Sequence, residues 1–474
     1  MACSGGGICQ SNCYKEEEGG EKEEERLQKG KRATPKSDSS AVNPVLDDGV
    51  LCSKCKDEKS VLSAQPNNPI NDAGGLCLSC FRSSLYSKFK LAVTSHSMIS
   101  PTDKVLVAFS GGPASRVLLQ FVHEMQYKAH MNLIASKDRS LPVFGVGVAF
   151  VVETAISTVP SYEVDNAIED IKLIVSSLAP PSKVLHITPI EDIFSSDSTQ
   201  GGSKLRELLH SITDITGKED LLQNLRMLCL QKIALANGYN KLVLGSCTSR
   251  IACHVISATV KGQGFSLPAD IQYVDARREI PVGLPLRDCL AWELKMLCSL
   301  DSLKTHQLFD RPNAGINGLV SSFVAVLQEE NPSRERTIIR TAEKLTPFYF
   351  NKLPESNSSH DQFSSRRRHK PQTVKSDKSI QVENFCLICN SPLNGSDLNI
   401  LRSKHRSGQT RVDTFAASCC PSCCFQILPK EPSSMEQFLS LLPELMIRRV
   451  KEDNKKWLRE QIEDCLLSDD EDGT

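Results

Sequence analysis

The apolar positions of the chain change period repeatedly between about residue 100 and residue 300. Lys104–Phe109 (KVLVAF) reads as a strand that is apolar on both faces. Val117, Leu118, Phe121, Val122 and Met125 then recur at helical spacing. Leu141–Ala149 (LPVFGVGVA) predicts a second strand, and Val164, Ile168, Ile171, Val175 and Leu178 a second helix. Lys183–Ile187 predicts a third strand, 203–237 a helical region, and Lys241–Gly245 a fourth strand. Asp288–Leu300 and Gly318–Leu327 read as further helices. Apolar strands alternating with helices predict an α/β domain built on a parallel sheet covered on both faces.

Outside that block the pattern fades. Residues 1–50 hold a Lys/Glu-rich run (KEEEGGEKEEERLQKGKR) with too little apolar surface to offset the entropy of ordering, and read as disordered. A cysteine-rich unit is expected over 51–98, the α/β domain over 99–350, a polar linker over 351–382 and a second cysteine-rich unit over 383–430. Residues 431–474 are expected to supply a C-terminal helix, from about Ser434 to Leu466, and an acidic tail (SDDED). Arg366–Lys370 (RRRHK) is read as a solvated cluster within the linker, and no repeat of solenoid period is visible.

Composition changes this picture little: 40% hydrophobic and 24% charged residues are ordinary for a globular protein. No apolar run approaches the length of a membrane span, and the first residues, MACSGGGICQ, do not read as a secretory signal. A cytoplasmic protein is expected. The net charge of −1 means that any nucleic-acid contact must come from a local basic patch. Lys261, Arg277 and Arg278 are candidates for contacts with an RNA backbone.

Nineteen cysteines matter more. In a reducing compartment, clustered cysteines read first as metal ligands. Cys52, Cys55, Cys77 and Cys80 form two CxxC pairs with 21 residues between them, and Cys386, Cys389, Cys420 and Cys423 form two more with 30 between. Two residues between thiolates let both grip one tetrahedral ion, and two such knuckles close the site. Structural zinc is expected in both, with iron–sulfur ligation as the alternative chemistry. Cys419, Cys424 and His405 leave the ligands of the second set ambiguous. Cys3, Cys9 and Cys13 have no evident pairing, and Cys247 and Cys253 read as small buried hydrophobes.

The first strand runs into Ser110-Gly111-Gly112-Pro113-Ala114-Ser115 and then a helix. Glycines let the backbone turn sharply, and the following amides and helix N-terminus suit an anion. Ser110, Gly111, Gly112 and Ser115 are therefore candidate phosphate ligands, at the strand end where open α/β sheets bind ligands.

KVLVAFSGGPASRVLL resembles the PP-loop of the ATP-pyrophosphatase (adenine nucleotide alpha hydrolase-like) family. LGSCTSRIACHVISATVKGQG and VGLPLRDCLAWELKMLC are similar to later segments of its tRNA-thiolating branch. With both cysteine units, the chain resembles the second, non-catalytic subunit of a tRNA-thiolating heterodimer. The resemblance implies 2-thiolation of wobble uridine in cytosolic tRNAs of the Lys, Glu and Gln type. It also implies tRNA as a ligand, a catalytic PP-loop partner that adenylates the uridine, and a thiocarboxylated ubiquitin-like sulfur carrier reached through that partner.

The chain departs from the active pattern in three places. Ala114 stands where active loops carry an acidic residue. Glu219 and Leu222 fall where the catalytic subunit has cysteines. Gly245-Ser246-Cys247-Thr248-Ser249-Arg250 replaces a Gly-His-x-x-Asp-Asp segment. No catalytic residue is therefore expected on this chain, while the residues leave open whether the loop binds ATP. An active ATP-dependent tRNA sulfurtransferase and a zinc scaffold without a nucleotide role are the alternatives.

Overall fold

The computed structural model describes residues 51–60, 75–135, 142–194, 198–306, 308–309, 314–331, 333–345, 385–393 and 415–447. A six-stranded sheet organises them. Its strands are β1 (Lys104–Ala108), β2 (Gly145–Val152), β3 (Val184–Pro189), β4 (Lys241–Val243), β5 (Val274–Asp275) and β6 (Val282–Gly283), in the order β3-β2-β1-β4-β6-β5. All neighbours are parallel except the short edge pair β5–β6. The parallel α/β architecture expected from the sequence is the one observed.

β1 lies between β2, where Val105 pairs with Val146, and β4, where it pairs with Lys241. It is buried on both faces, which is why it is apolar throughout. Val105 and Val107 face a core shared with helices α1 (Leu78–Ser95), α2 (Pro113–Ala135), α3 (Ser161–Ser177) and α8 (Ala291–Leu300). Leu106 faces the opposite core, built with α4 (Ser198–His210) and α5 (Ile215–Ala236). The second core continues into the C-terminal part of the chain through α11 (Pro421–Gln426) and α12 (Pro432–Leu441). A third cluster joins α6 (Thr248–Val260), α7 (Leu267–Asp270) and α10 (Ser333–Ala342). Helix α9 (Gly315–Glu330) packs beside α6 and α10.

Two expectations about helices change. The region 203–237 is two helices, because Asp214 turns its side chain to accept from the Gly217 amide at 2.8 Å and starts α5 afresh. The C-terminal helix is interrupted after Leu441: Leu442 is extended (φ −69°, ψ 146°), as a residue before proline prefers, and helix resumes after Pro443 over 444–447. The remainder of that expected helix, past residue 447, lies outside the described residues, as do the N-terminal 50 residues, the 351–382 linker and the acidic tail.

Candidate functional site

The loop after β1 sits where strand order reverses, between β1 and β4, which is the crevice that ligands occupy in open α/β sheets. Ser115 is buried and organises the turn. Its Oγ donates to Gly112 O at 2.9 Å and accepts from the Ser110 amide at 3.2 Å. Pro113 opens α2 with its φ preset for a helix and no amide to orphan. Gly111 has φ +83°, and a Cβ there would lie 2.0 Å from the carbonyl oxygen of His306. A Cβ on Gly245, just after β4, would lie 2.9 Å from the Ser115 amide. The two expected ligand-side segments therefore touch backbone to backbone. Ser110, Gly111, Gly112 and Ser115 form one tight turn at the N-terminus of a long helix.

Residues from distant parts of the chain close around this turn. The His306 amide donates to Gly111 O at 2.9 Å. Asp170 on α3 holds that segment, with Lys304 Nζ 2.6 Å and His306 Nε2 3.1 Å from its carboxylate. The Lys304 ammonium keeps the Asp170 carboxyl below its usual range.

Two of the three departures from the active pattern are tied into the structure by hydrogen bonds. Glu219 accepts from the Ala314 amide at 2.5 Å and from Asn317 Nδ2 at 2.9 Å, so it caps the entry to α9. Asp220 beside it receives Lys261 Nζ at 2.7 Å. Arg226, one turn further along α5, makes a two-point pair from Nε and Nη2 with buried Glu153 just past β2, the Nη2 hydrogen bond being 2.9 Å. Ser249 donates to the fully buried Glu335 at 2.7 Å and accepts from the Ala291 amide at 3.0 Å.

No cysteine near the crevice is activated. Burial pushes the thiols of Cys253 up to about 11 and Cys229 up to about 12, and raises that of Cys247.

Two of the basic residues expected to face RNA do not. The side chains of Lys261 and Arg277 are only 5% and 6% exposed. Arg277 lies 2.5 Å from Asp270 and 2.8 Å from Asp275. Burial alone would raise the Asp270 carboxyl, but His254, Arg277 and Ser266 around it hold it well below the ordinary value. Sequence spacing could not reveal these partners, because no local signal marks which acid a basic residue will meet.

The cysteines assemble as expected. The four Sγ atoms of Cys52, Cys55, Cys77 and Cys80 lie within 4.8 Å of one another, as do those of Cys386, Cys389, Cys420 and Cys423, and each group could hold a metal ion. The groups are built alike. Lys56 (φ 62°) and Asn390 (φ 61°) follow the first pair in the left-handed conformation, and each donates its amide back to the first cysteine's carbonyl. Cys77 and Cys420 each cap a helix, accepting from the amides of Cys80 and Cys423 at 3.4 and 3.5 Å. Cys419 and Cys424 fall outside the second group; Cys424 Sγ instead lies against Ala416 O at 3.4 Å. His405 and Cys3, Cys9 and Cys13 lie outside the described residues. Four thiolates fit a closed tetrahedral ion and leave no open coordination position.

The second group is docked on the α/β domain. A Cβ on Gly217 of α5 would lie 2.1 Å from Gln426 O, so only glycine admits that approach. Gln263 Nε2 donates to Ser422 at 3.1 Å, and Asn390 Nδ2 to Arg277 O at 3.4 Å.

No known family profile matches the chain. It is 53% identical over 483 aligned residues to the cytoplasmic tRNA 2-thiolation protein 2 of Arabidopsis thaliana, covering 99% of both chains. The protein of that name from Oryza sativa subsp. indica is 57% identical over 84% of this chain and 86% of its own. That of Homo sapiens is 27% identical over 62% of this chain and 67% of its own. Among solved structures, the chain is similar to the U34-tRNA thiolase NcsA of Methanococcus maripaludis, which carries a 4Fe-4S cluster. That match has a TM-score of 0.47 and 18% identity over 62% of this chain and 87% of that one.

Proposed function

The chain belongs to the cytoplasmic tRNA 2-thiolation protein 2 family, and from that premise we propose that it is the non-catalytic, tRNA-holding subunit of a heterodimer that 2-thiolates wobble uridine. The substrates are cytosolic tRNAs of the Lys, Glu and Gln type. The partner is a catalytic PP-loop subunit that adenylates the uridine and accepts sulfur from a thiocarboxylated ubiquitin-like carrier. The site of action is the cytoplasm; among the described residues, no helix is long and apolar enough to cross a membrane.

The observation that carries the non-catalytic role is the engagement of Glu219. Where a sulfur-handling subunit needs a reactive, accessible group, this chain has a carboxylate fixed to the start of α9. Ala114 leaves the loop without an acid to manage a metal-bound triphosphate, and Ser249 is tied to Glu335 rather than free. The turn of Ser110, Gly111, Gly112 and Ser115 keeps amides at a helix N-terminus, which suits a phosphate group without providing for its chemistry. Both cysteine groups hold zinc and act structurally, since four thiolates close the coordination sphere.

The test measures two quantities. Cells lacking the chain should lose wobble 2-thiouridine, read by mass spectrometry of bulk tRNA. The purified chain alone should support no tRNA-dependent ATP–pyrophosphate exchange, whereas the reconstituted pair should. Exchange by the isolated chain would assign it catalysis, and normal thiolation in its absence would remove it from the pathway.

A further inference from the structure

With Lys261 and Arg277 held inside the fold, a chain of net charge −1 needs another cationic surface if it is to hold RNA. Helix α10 sorts its charges by direction. Its interior acid, Glu335, is fully buried against Ser249, and Glu343, one residue past its end, receives Arg287 at 2.6 Å. Ile339 and Ala342 pack against Ile251, Ala252, Val255 and Ala258 of α6. Glu343 is itself exposed but already neutralised, so the unpaired charges left outward are basic. Arg340 and Lys344 are exposed and have no ion-pair partner among the described residues. Arg336 has only Glu293, at 3.9 Å, and that carboxylate is already held by Lys88 at 2.7 Å. Arg334 is neutralised by Glu330 and adds nothing.

The Ser249–Glu335 hydrogen bond ties the first turn of α6 to α10. Arg250 is exposed, also without an ion-pair partner among the described residues, and stands in the first turn of α6, which starts at the carboxyl end of β4. Arg336 and Arg340 are four apart on α10 and share one face about 6 Å apart, and Lys344 follows in the turn after the helix ends at Ala342. The basic groups are thus one arginine at the crevice end of α6 and a stretch on and just past α10, the helix that packs on α6.

We infer that this row, Arg250, Arg336, Arg340 and Lys344, receives the sugar–phosphate backbone of the tRNA. The inference rests on the tRNA-holding role proposed above and gives that role a surface. Guanidinium groups suit phosphate oxygens in bidentate geometry, and α10 carries no aromatic residue to stack a base. Recognition here is thus of backbone and shape, blind to sequence.

The experiment compares the full chain, co-purified with its partner, with the Arg340→Ala/Lys344→Ala variant and with that variant carrying Arg250→Ala as well. Binding of bulk deacylated tRNA is measured across a salt series. We expect roughly tenfold weaker binding at about 0.1 M salt in the double variant and more in the triple. The slope of log affinity against log salt should flatten by about 0.7 to 0.9 for each phosphate that the variant no longer neutralises. The thermal midpoint should stay unchanged, because the replaced side chains are exposed. Wild-type affinity and slope in the triple variant would overturn the surface while leaving the tRNA-holding role intact. An unchanged slope with the partner missing from the preparation would also overturn it, making the row a protein-docking face. Failure of the wild-type complex to bind tRNA at any salt would instead overturn the tRNA-holding role itself.

Discussion

The amide of His306 donates to the carbonyl of Gly111 at 2.9 Å, while the His306 carbonyl occupies the space a Gly111 side chain would need. The phosphate-type turn is thus gripped on one side by backbone from nearly 200 residues downstream. Gly111→Ala combines a disfavoured left-handed conformation with a direct clash, and should cost about 2 kcal/mol or more. Chemical denaturation checks it: a wild-type midpoint in Gly111→Ala would mean that His306 does not sit there. Ser110, exposed on the same turn, is the cleaner probe of anion binding, and Ser110→Ala should leave stability within about 0.5 kcal/mol of wild type.

The cysteine groups should respond unequally to the same change. Both should carry zinc, two ions per chain, and a structural zinc site contributes on the order of 10 kcal/mol of binding energy inseparable from local folding. Cys55→Ser should release one zinc and unfold the N-terminal knuckle. Cys423→Ser should release the other and lower the melting temperature of the whole domain, because Cys423 lies in the core that also contains Leu106 and Leu242. Cys419→Ser and Cys424→Ser should retain both ions. Elemental analysis beside calorimetry decides; zinc released on mutating Cys424 would redraw the ligand set.

Thiol reactivity separates a holding subunit from an enzyme with a hidden nucleophile. With the Cys253 thiol pushed up to about 11 by burial, about one molecule in a thousand carries the thiolate at pH 8, against roughly a quarter for an unperturbed cysteine. Alkylation of Cys253 should therefore be at least a hundredfold slower than that of free cysteine, and it should accelerate tenfold per pH unit up to about pH 11. Fast labelling of Cys253 at pH 7 would revive the sulfurtransferase reading.

Arg277 should prove structural. Arg277→Ala leaves Asp270 and Asp275 with their principal cation gone, and breaking a buried pair from one side costs about 3 to 5 kcal/mol. The pH dependence has a defined sign. The folded Asp270 carboxyl lies below its unfolded value, so its stabilisation is present above about pH 4 and is lost as pH falls toward the folded value. In Arg277→Ala the folded carboxyl moves toward its unfolded value, so the loss on acidification should be smaller and complete at higher pH. An Arg277→Ala variant that weakens tRNA binding with stability intact would return Arg277 to the RNA surface.

The parts legible in the sequence were those encoded locally. β1 and β2 announce themselves because strands buried on both faces must be apolar throughout, and the CxxC spacing fixes its own geometry. The single helical region expected over 203–237 hid a break because Asp214 reads as an ordinary polar residue until its side chain is seen to cap α5. β5 and β6, two residues each, are too short to leave a period. Lys261 and Arg277 were misjudged for a different reason: charge is visible in a sequence, but the acid that neutralises it is not. The same limit concealed α10, whose basic face emerges only once Glu335 is known to point inward.

The place of Phe415 to Met446 bears on how the protein is made. Phe415, Phe438 and Met446 share a core with Leu106 on the central strand, so the last described segment covers an apolar face whose other half lies more than 300 residues earlier. A nascent chain leaving the ribosome has already exposed that face and must wait for the C-terminal residues to arrive. During this interval the chain exposes an apolar flank of the kind that chaperones cover. A message cut short before residue 415 would therefore yield a polypeptide with an open, aggregation-prone flank rather than a smaller working subunit.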